Sequence, residues 1–402
     1  MKRFAVVLLL ALAACRPSSD PALPAPSLTF SAPTWPEPAW WPGAGAGRLV
    51  LSNSRDDTLS VLDATKVGQA AVPEVARVPV GLNPVEIEAP HHAAIAPDGS
   101  ALYVNLSEYA PGTGTGPHGS HGVGTVDGKV LKLDGVTGRL LGTVRVDRNS
   151  GDLEVGPDGK VVAVTHYDLL RIQEAQAGTA PSPDARVVLI DTASMTQIAA
   201  VAVCAAPHGV RFSKDGKRLY VACYSDEVAV VQLDAQGFPV TRIKVAANAG
   251  TAFDARQTPY ALSVSPLTGD VFVSCPKSGD VRVLTAALTM DESRRTLLGG
   301  QPQLSGFSPD GMTLWVPTQG DDRIHAVDPL TGARLRSLNV PRDQCKNVHQ
   351  VLAMADGASL AVVCEGDHVS PGSLLVLGTD GAVKSVTAVG TFPDYIGLWR
   401  TP

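Results

Sequence analysis

Apolar and polar positions alternate with a period of two in short runs along most of this chain, and the runs repeat. The stretch from Val203 to Asp234 shows the unit. Val210 and Phe212 alternate on a first strand, Lys214-Asp215-Gly216-Lys217 is a tight turn, and Leu219-Tyr220-Val221 is a second strand. Asp226 and Glu227 turn the chain again, and Val228 to Leu233 is a third strand. Alternating β-branched and aromatic residues between Asp-Gly turns predict antiparallel strands. Further copies begin at His91, Gly151, Pro259, Pro302 and Val348. A seventh copy is divided: RLVLSN from Arg48 reads as a second strand with no first strand before it, and PDYIGLW from Pro393 as a first strand with nothing after it.

Units of about 40–50 residues, each a small antiparallel sheet, cannot bury their faces alone; stacked radially they share a core and leave only short edges. The pattern therefore predicts an all-β fold, a seven-bladed β-propeller over residues 48–402, closed by a C-terminal first strand that completes the N-terminal blade. A β-sandwich would need neither seven similar units nor a divided one. The phrase xPxG-x-x-x-SPDG-x-x-LYV, as in PHGVRFSKDGKRLYV from Pro207 and FSPDGMTLWV from Phe307, resembles the YVTN/YncE-like propellers, a family of envelope proteins. The resemblance runs from about residue 46 to the end. It implies a fold and an envelope address, while many activities sit on such rings.

The front of the chain departs from the repeat. Lys2 and Arg3 precede an apolar run from Phe4 to Ala14, too short to span a bilayer, that ends in Leu12-Ala13-Ala14-Cys15. This resembles a bacterial lipoprotein signal, residues 1–15, with Cys15 as the lipidated N-terminus of the mature chain. Arg16, where an Asp would resemble an inner-membrane retention signal, directs the expectation to the outer membrane. Residues 16–47 are rich in Pro, Ala, Ser and Gly and predict an extended tether. With 33 Lys+Arg against 39 Asp+Glu and no basic stripe, nucleic acid is not an expected partner. The expectation is a monomer that meets the membrane only through its lipid.

Loops entering first strands share a rim with loops joining second strands to third. Aligning the repeats puts one column of residues there, at the central channel: Asp394, His91, Gly151, His208, Tyr260, Gln303 and His349, with His92 beside the first imidazole. His91, His92, His208, His349, Tyr260, Gln303 and Asp394 are candidate ligand-binding residues. Imidazoles converging on a channel can hold a metal, orient an anionic ligand or act as a base; the bland alternative is that each caps its own strand. His91, His208 and His349, with His166 at the end of a second strand, are the candidate metal ligands, and zinc or copper the candidate ions.

Two blades share C-x3-H-x14-C, Cys204…His208…Cys223 and Cys345…His349…Cys364, each cysteine pair nineteen residues apart. In an exported protein these predict two disulfides, each within its own blade, although thiolates beside imidazoles also suit a metal. Cys275 lacks an upstream partner and is expected to be a buried thiol. Long rim insertions fall at Ser107–Asp127, Tyr167–Asp184 and Cys364–His368; the first carries the H-x2-H pair His118 and His121. No haem-attachment, zincin, nucleophile-elbow or phosphate-loop motif is present. These observations support three functions. The first is an envelope protein binding a small ligand or protein partner on its rim. The second is a metal-dependent enzyme, a lactonase-like hydrolase or a copper-type oxidoreductase. The third is a scaffold of an envelope assembly.

Overall fold

A computed structural model describes residues 47–83, 85–107 and 121–399. Cys15, residues 16–46 of the tether, which include Trp35, Trp40 and Trp41, and His118 lie outside the described residues. Among those described, 28 strands form seven four-stranded antiparallel sheets, arranged as a seven-bladed β-propeller. The divided blade is assembled as the pattern predicts. Its inner strand, Pro393–Trp399, pairs with Arg48–Asn53, followed outward by Thr58–Asp63 and Glu74–Pro79. The register sets Leu51 opposite Ile396 and Arg48 opposite Trp399. Blades 2 to 7 follow in chain order, over 90–148, 150–205, 207–244, 261–297, 306–339 and 348–391.

The alternation of each strand is used on both faces. Side chains on one face fill the interface with the preceding blade, those on the other the interface with the next, so the core is divided into one apolar cluster per interface. On the closing strand, Ile396 packs between blades 7 and 1 and Trp399 between blades 1 and 2. Trp399 also donates its indole N–H to Gly99 O of blade 2 at 3.2 Å.

Two local expectations change. The Tyr167–Asp184 insertion contains a helix, Leu169–Gln176, capped by Asp168, which accepts from Arg171 N at 3.0 Å; Ile172 is its buried residue. The disulfides form between the expected partners, Cys204–Cys223 and Cys345–Cys364, with Cα–Cα distances of 5.8 and 5.1 Å, but the first is not confined to one blade. The outer strand of blade 3 runs on to Ala205, so Cys204 belongs to blade 3 and its bond reaches the second strand of blade 4. The second ties the crossover from blade 6 to the second strand of blade 7. Cys275 is a buried thiol, its pKa pushed well above the ordinary value by burial.

Candidate metal centre at the channel mouth

The column of residues is placed by a backbone device repeated in all seven blades. Two positions before each column residue, a non-glycine residue takes a left-handed conformation: Ala89 (φ 50°), Asn149 (56°), Ala206 (40°), Thr258 (52°), Gln301 (62°), Asn347 (58°) and Phe392 (55°). Such conformations are disfavoured for β-branched and bulky residues. The kink turns the chain from the outer strand of one blade into the inner strand of the next. In blades 1, 2, 3, 4 and 7 the ladder then slips at the column residue itself, and such bulges re-aim a side chain. The column residues thus leave the sheet and turn toward the axis.

Their rings meet across the channel. His208 of blade 4 stands edge-on to His91 and His92 of blade 2, with centroids 5.6 and 5.5 Å apart. His91 stacks on His92 at 4.4 Å and, on its other side, on His121 from the blade 2 insertion at 4.2 Å. Tyr260 lies flat on His208 at 3.8 Å, and burial pushes its phenol well above the ordinary range. Gly151 makes this possible: a Cβ there would stand 3.2 Å from the His208 ring and 3.0 Å from Thr165 Oγ1.

The hydrogen bonds fix how the imidazoles are presented. His91 Nδ1 lies 2.8 Å from Gly151 O, His208 Nδ1 3.2 Å from Tyr260 O and His349 Nδ1 2.6 Å from Asp394 O. In each case the partner is the column carbonyl of the next blade round the ring. A carbonyl only accepts, so each Nδ1 carries hydrogen and donates. In a neutral ring, as at His208, Nε2 then bears the lone pair, the arrangement by which proteins orient metal-ligating histidine; at His91 the same nitrogen faces Asp394 Oδ2. Donor nitrogens of His91, His121 and His208 lie within 4.8 Å of one another. Beside them is a cavity of about 20 Å³ lined by His91, His121, Asn149 and Asp394, room for about one water or ion.

Carboxylates border this group. Asp394 Oδ2 is 2.8 Å from His91 Nε2, and Asp394 Oδ1 is 3.0 Å from His349 Nδ1. Glu365 lies 3.7 Å from His349 and accepts from His368 Nε2 at 2.8 Å. Burial disfavours the His349 cation, but Glu365 and Asp394 outweigh it and raise its pKa to about 9. His92 goes the other way: burial lowers it to about 4, against the attraction of Asp152, whose Oδ1 is 2.6 Å from Nδ1. Burial opposes ionisation of Asp152 as well, but Arg211 and, to a smaller extent, His92 hold it below the usual carboxylate range.

Of the candidate residues, His91, His92, His208, His349, Tyr260 and Asp394 gather at this mouth. Gln303 is buried there and turns to Gln319, 3.4 Å away. His166 is not among them: it sits toward the blade 2–3 boundary and donates Nδ1–H to Arg186 O at 2.7 Å. The pattern reading did not single out Asp152, Arg211, Glu365 or Tyr395, whose ring stacks on His92 at 4.8 Å, as site residues. Two of these follow a column residue directly, as His92 does, and polar residues at consecutive positions of an inner strand were the available signal.

Comparison with known proteins gives the same architecture. The periplasmic gluconolactonase of Pseudomonas aeruginosa superposes with a TM-score of 0.63 at 18% identity, over 89% of this chain and 100% of that one. A putative 6-phosphogluconolactonase from Bacteroides uniformis does so with a TM-score of 0.59 at 16% identity, over 88% and 100%. Hydrazine synthase of Kuenenia stuttgartiensis gives 0.57 at 16% identity, over 80% and 99%. The likeness is one of fold. No family model matches the sequence, and no curated protein does.

Proposed function

We propose that this protein is an envelope-anchored propeller that binds a late transition-metal ion, zinc or copper, at its channel mouth through His91, His121 and His208. The observation that carries the reading is the meeting of three imidazoles, from blade 2, its insertion and blade 4, with donor nitrogens within 4.8 Å. Imidazole sets suit these ions, which sit about 2 Å from nitrogen. Asp394, 2.8 Å from His91 Nε2, borders the same site. His349, held as a cation by Glu365 and Asp394, serves as a charge partner rather than a ligand.

The chain belongs, in this reading, with the YVTN/YncE-like propellers and is tethered by a lipid on Cys15 to the outer membrane. Both disulfides support an oxidising compartment. It acts as a monomer, with no nucleic-acid partner, binding its ligand on the rim. A hydrolase is the second reading, favoured by the two neighbours named as lactonases. The space of about 20 Å³ at His91 favours ion binding over a bound lactone.

The test is metal content. The full chain, exposed to Zn²⁺ or Cu²⁺ and dialysed, should retain one ion, and X-ray absorption should find imidazole nitrogen in its first shell. His91→Ala and His208→Ala should each lose it. Substoichiometric metal in the parent, or full retention in the double variant, defeats the reading.

A further inference from the structure

A second site lies between blades 2 and 3 on the same rim, separate from the imidazole cluster. It is a cavity of about 510 Å³ whose lining includes His166, Arg148, Arg171, Arg186, Asp147 and Asp168. Most of this charge is already committed. Arg186 makes a two-pronged pair with Asp147, and Arg148 bonds Asp168 and both oxygens of Glu174. Two groups are not. Arg171 uses its Nε on Asp184 O, and among the described residues its two terminal nitrogens have no hydrogen-bond partner. His166 is 1% exposed, and its Nε2 has no partner among the described residues.

The chemistry of these two groups defines what would satisfy them. The Nδ1–H of His166 is spent on a carbonyl, so its Nε2 is a buried acceptor waiting for a donor. A buried polar atom without a partner is costly, and a ligand that supplies the partner recovers that cost. The terminal edge of a guanidinium is a fork that matches a carboxylate. The surrounding Asp side chains, including Asp127, disfavour a dianion such as phosphate and accept from hydroxyl groups. The volume lies within the range of about 300–1,000 Å³ common for small-molecule sites.

We propose that this cavity binds a hydroxylated carboxylate of about monosaccharide size, with its carboxylate on the terminal nitrogens of Arg171 and one hydroxyl donating to Nε2 of His166. The inference stands on a different set of residues from the metal centre, so either can fail without the other.

Calorimetric titration of the full chain with quinate tests it, because two probes each remove one half of the recognition. Cyclohexanecarboxylate keeps the charge and lacks the hydroxyls, and myo-inositol keeps hydroxyls and lacks the charge. Quinate should bind, and each truncated probe should bind at least about tenfold more weakly, the equivalent of losing one charge-assisted hydrogen bond. Arg171→Gln and His166→Leu should each weaken quinate by a similar factor while zinc retention stays at the parental level. Arg171→Lys, which keeps the charge and loses the fork, should fall between parent and Arg171→Gln. Silence from quinate, tartrate and glycerate alike up to about 10 mM, weaker than most specific small-ligand sites, overturns the proposal. So does quinate binding that Arg171→Gln and Arg171→Lys leave unchanged.

Discussion

Removing the closing strand should unfold the ring, and the size of the effect can be worked from two side chains. Ile396 is 1% exposed and Trp399 is 4% exposed. They lie in different clusters, between blades 7 and 1 and between blades 1 and 2, so their losses should add. Ile396→Ala should destabilise by about 2–4 kcal/mol and Trp399→Ala by about 3–5 kcal/mol. The double variant then loses about 5–9 kcal/mol, comparable with the whole stability of a typical domain, about 5–15 kcal/mol. A chain ending at Gly390 loses more: the ladder to Arg48–Asn53 and Asp394, which stands against both His91 and His349. Urea unfolding followed by far-ultraviolet circular dichroism measures the single and double variants, and a thermal melt tests the truncation. A truncated chain with a sharp transition near the parental temperature, or a double variant within about 1 kcal/mol of the parent, the scale of an ordinary surface change, would refute the idea that one strand locks two interfaces.

Four further outcomes follow from the same geometry. The pKa of His349 is raised from 6.5 to about 9, so the stability it contributes is fully present below pH 6.5 and is lost as pH rises through about 9. The loss is about 3 kcal/mol, read as a falling urea midpoint that His349→Gln should flatten. Of the five ring cysteines, Cys275 alone should react with a thiol reagent in denaturant without reductant, and five reactive thiols would contradict both disulfides. Cys204→Ser with Cys223→Ser should cost about 3 kcal/mol by the loop-entropy relation and loosen the contact between blades 3 and 4, seen as faster amide exchange there. Arg211→Met should destabilise by about 3–5 kcal/mol, because it leaves the buried Asp152 carboxylate without its main counter-charge; parity with the parent would show that His92 alone suffices.

The ring and its closure were legible because both are written in period-two alternation and in recurring Asp-Gly turns, which depend on neighbours a few residues away. The column of seven was legible for the same reason, since aligned repeats occupy equivalent places. What alignment could not show is which columns meet across the axis. His121 lies in an insertion that has no counterpart in other blades, so its stacking on His91 depends on where that insertion comes to rest. Asp152 and Arg211 sit in separate blades and are joined by the channel wall, not by spacing. The blade assignment of Cys204 turned on one further fact, the length of an outer strand, which hydrophobic pattern marks poorly because apolar residues run without alternation from Ile198 to Ala205, exposed and buried alike.

The seven left-handed residues before the inner strands set the direction of the column without using its side chains. The aim belongs to the main chain, and what is aimed is free to vary: Asp, His, Gly, His, Tyr, Gln and His occupy equivalent sockets. Such a mouth works like a turret whose fittings can be exchanged one at a time. A designer could move an imidazole from blade 4 to blade 6 at Gln303 and expect it to face inward, and a lineage of such rings could pass from one chemistry to another by single substitutions without rebuilding a blade.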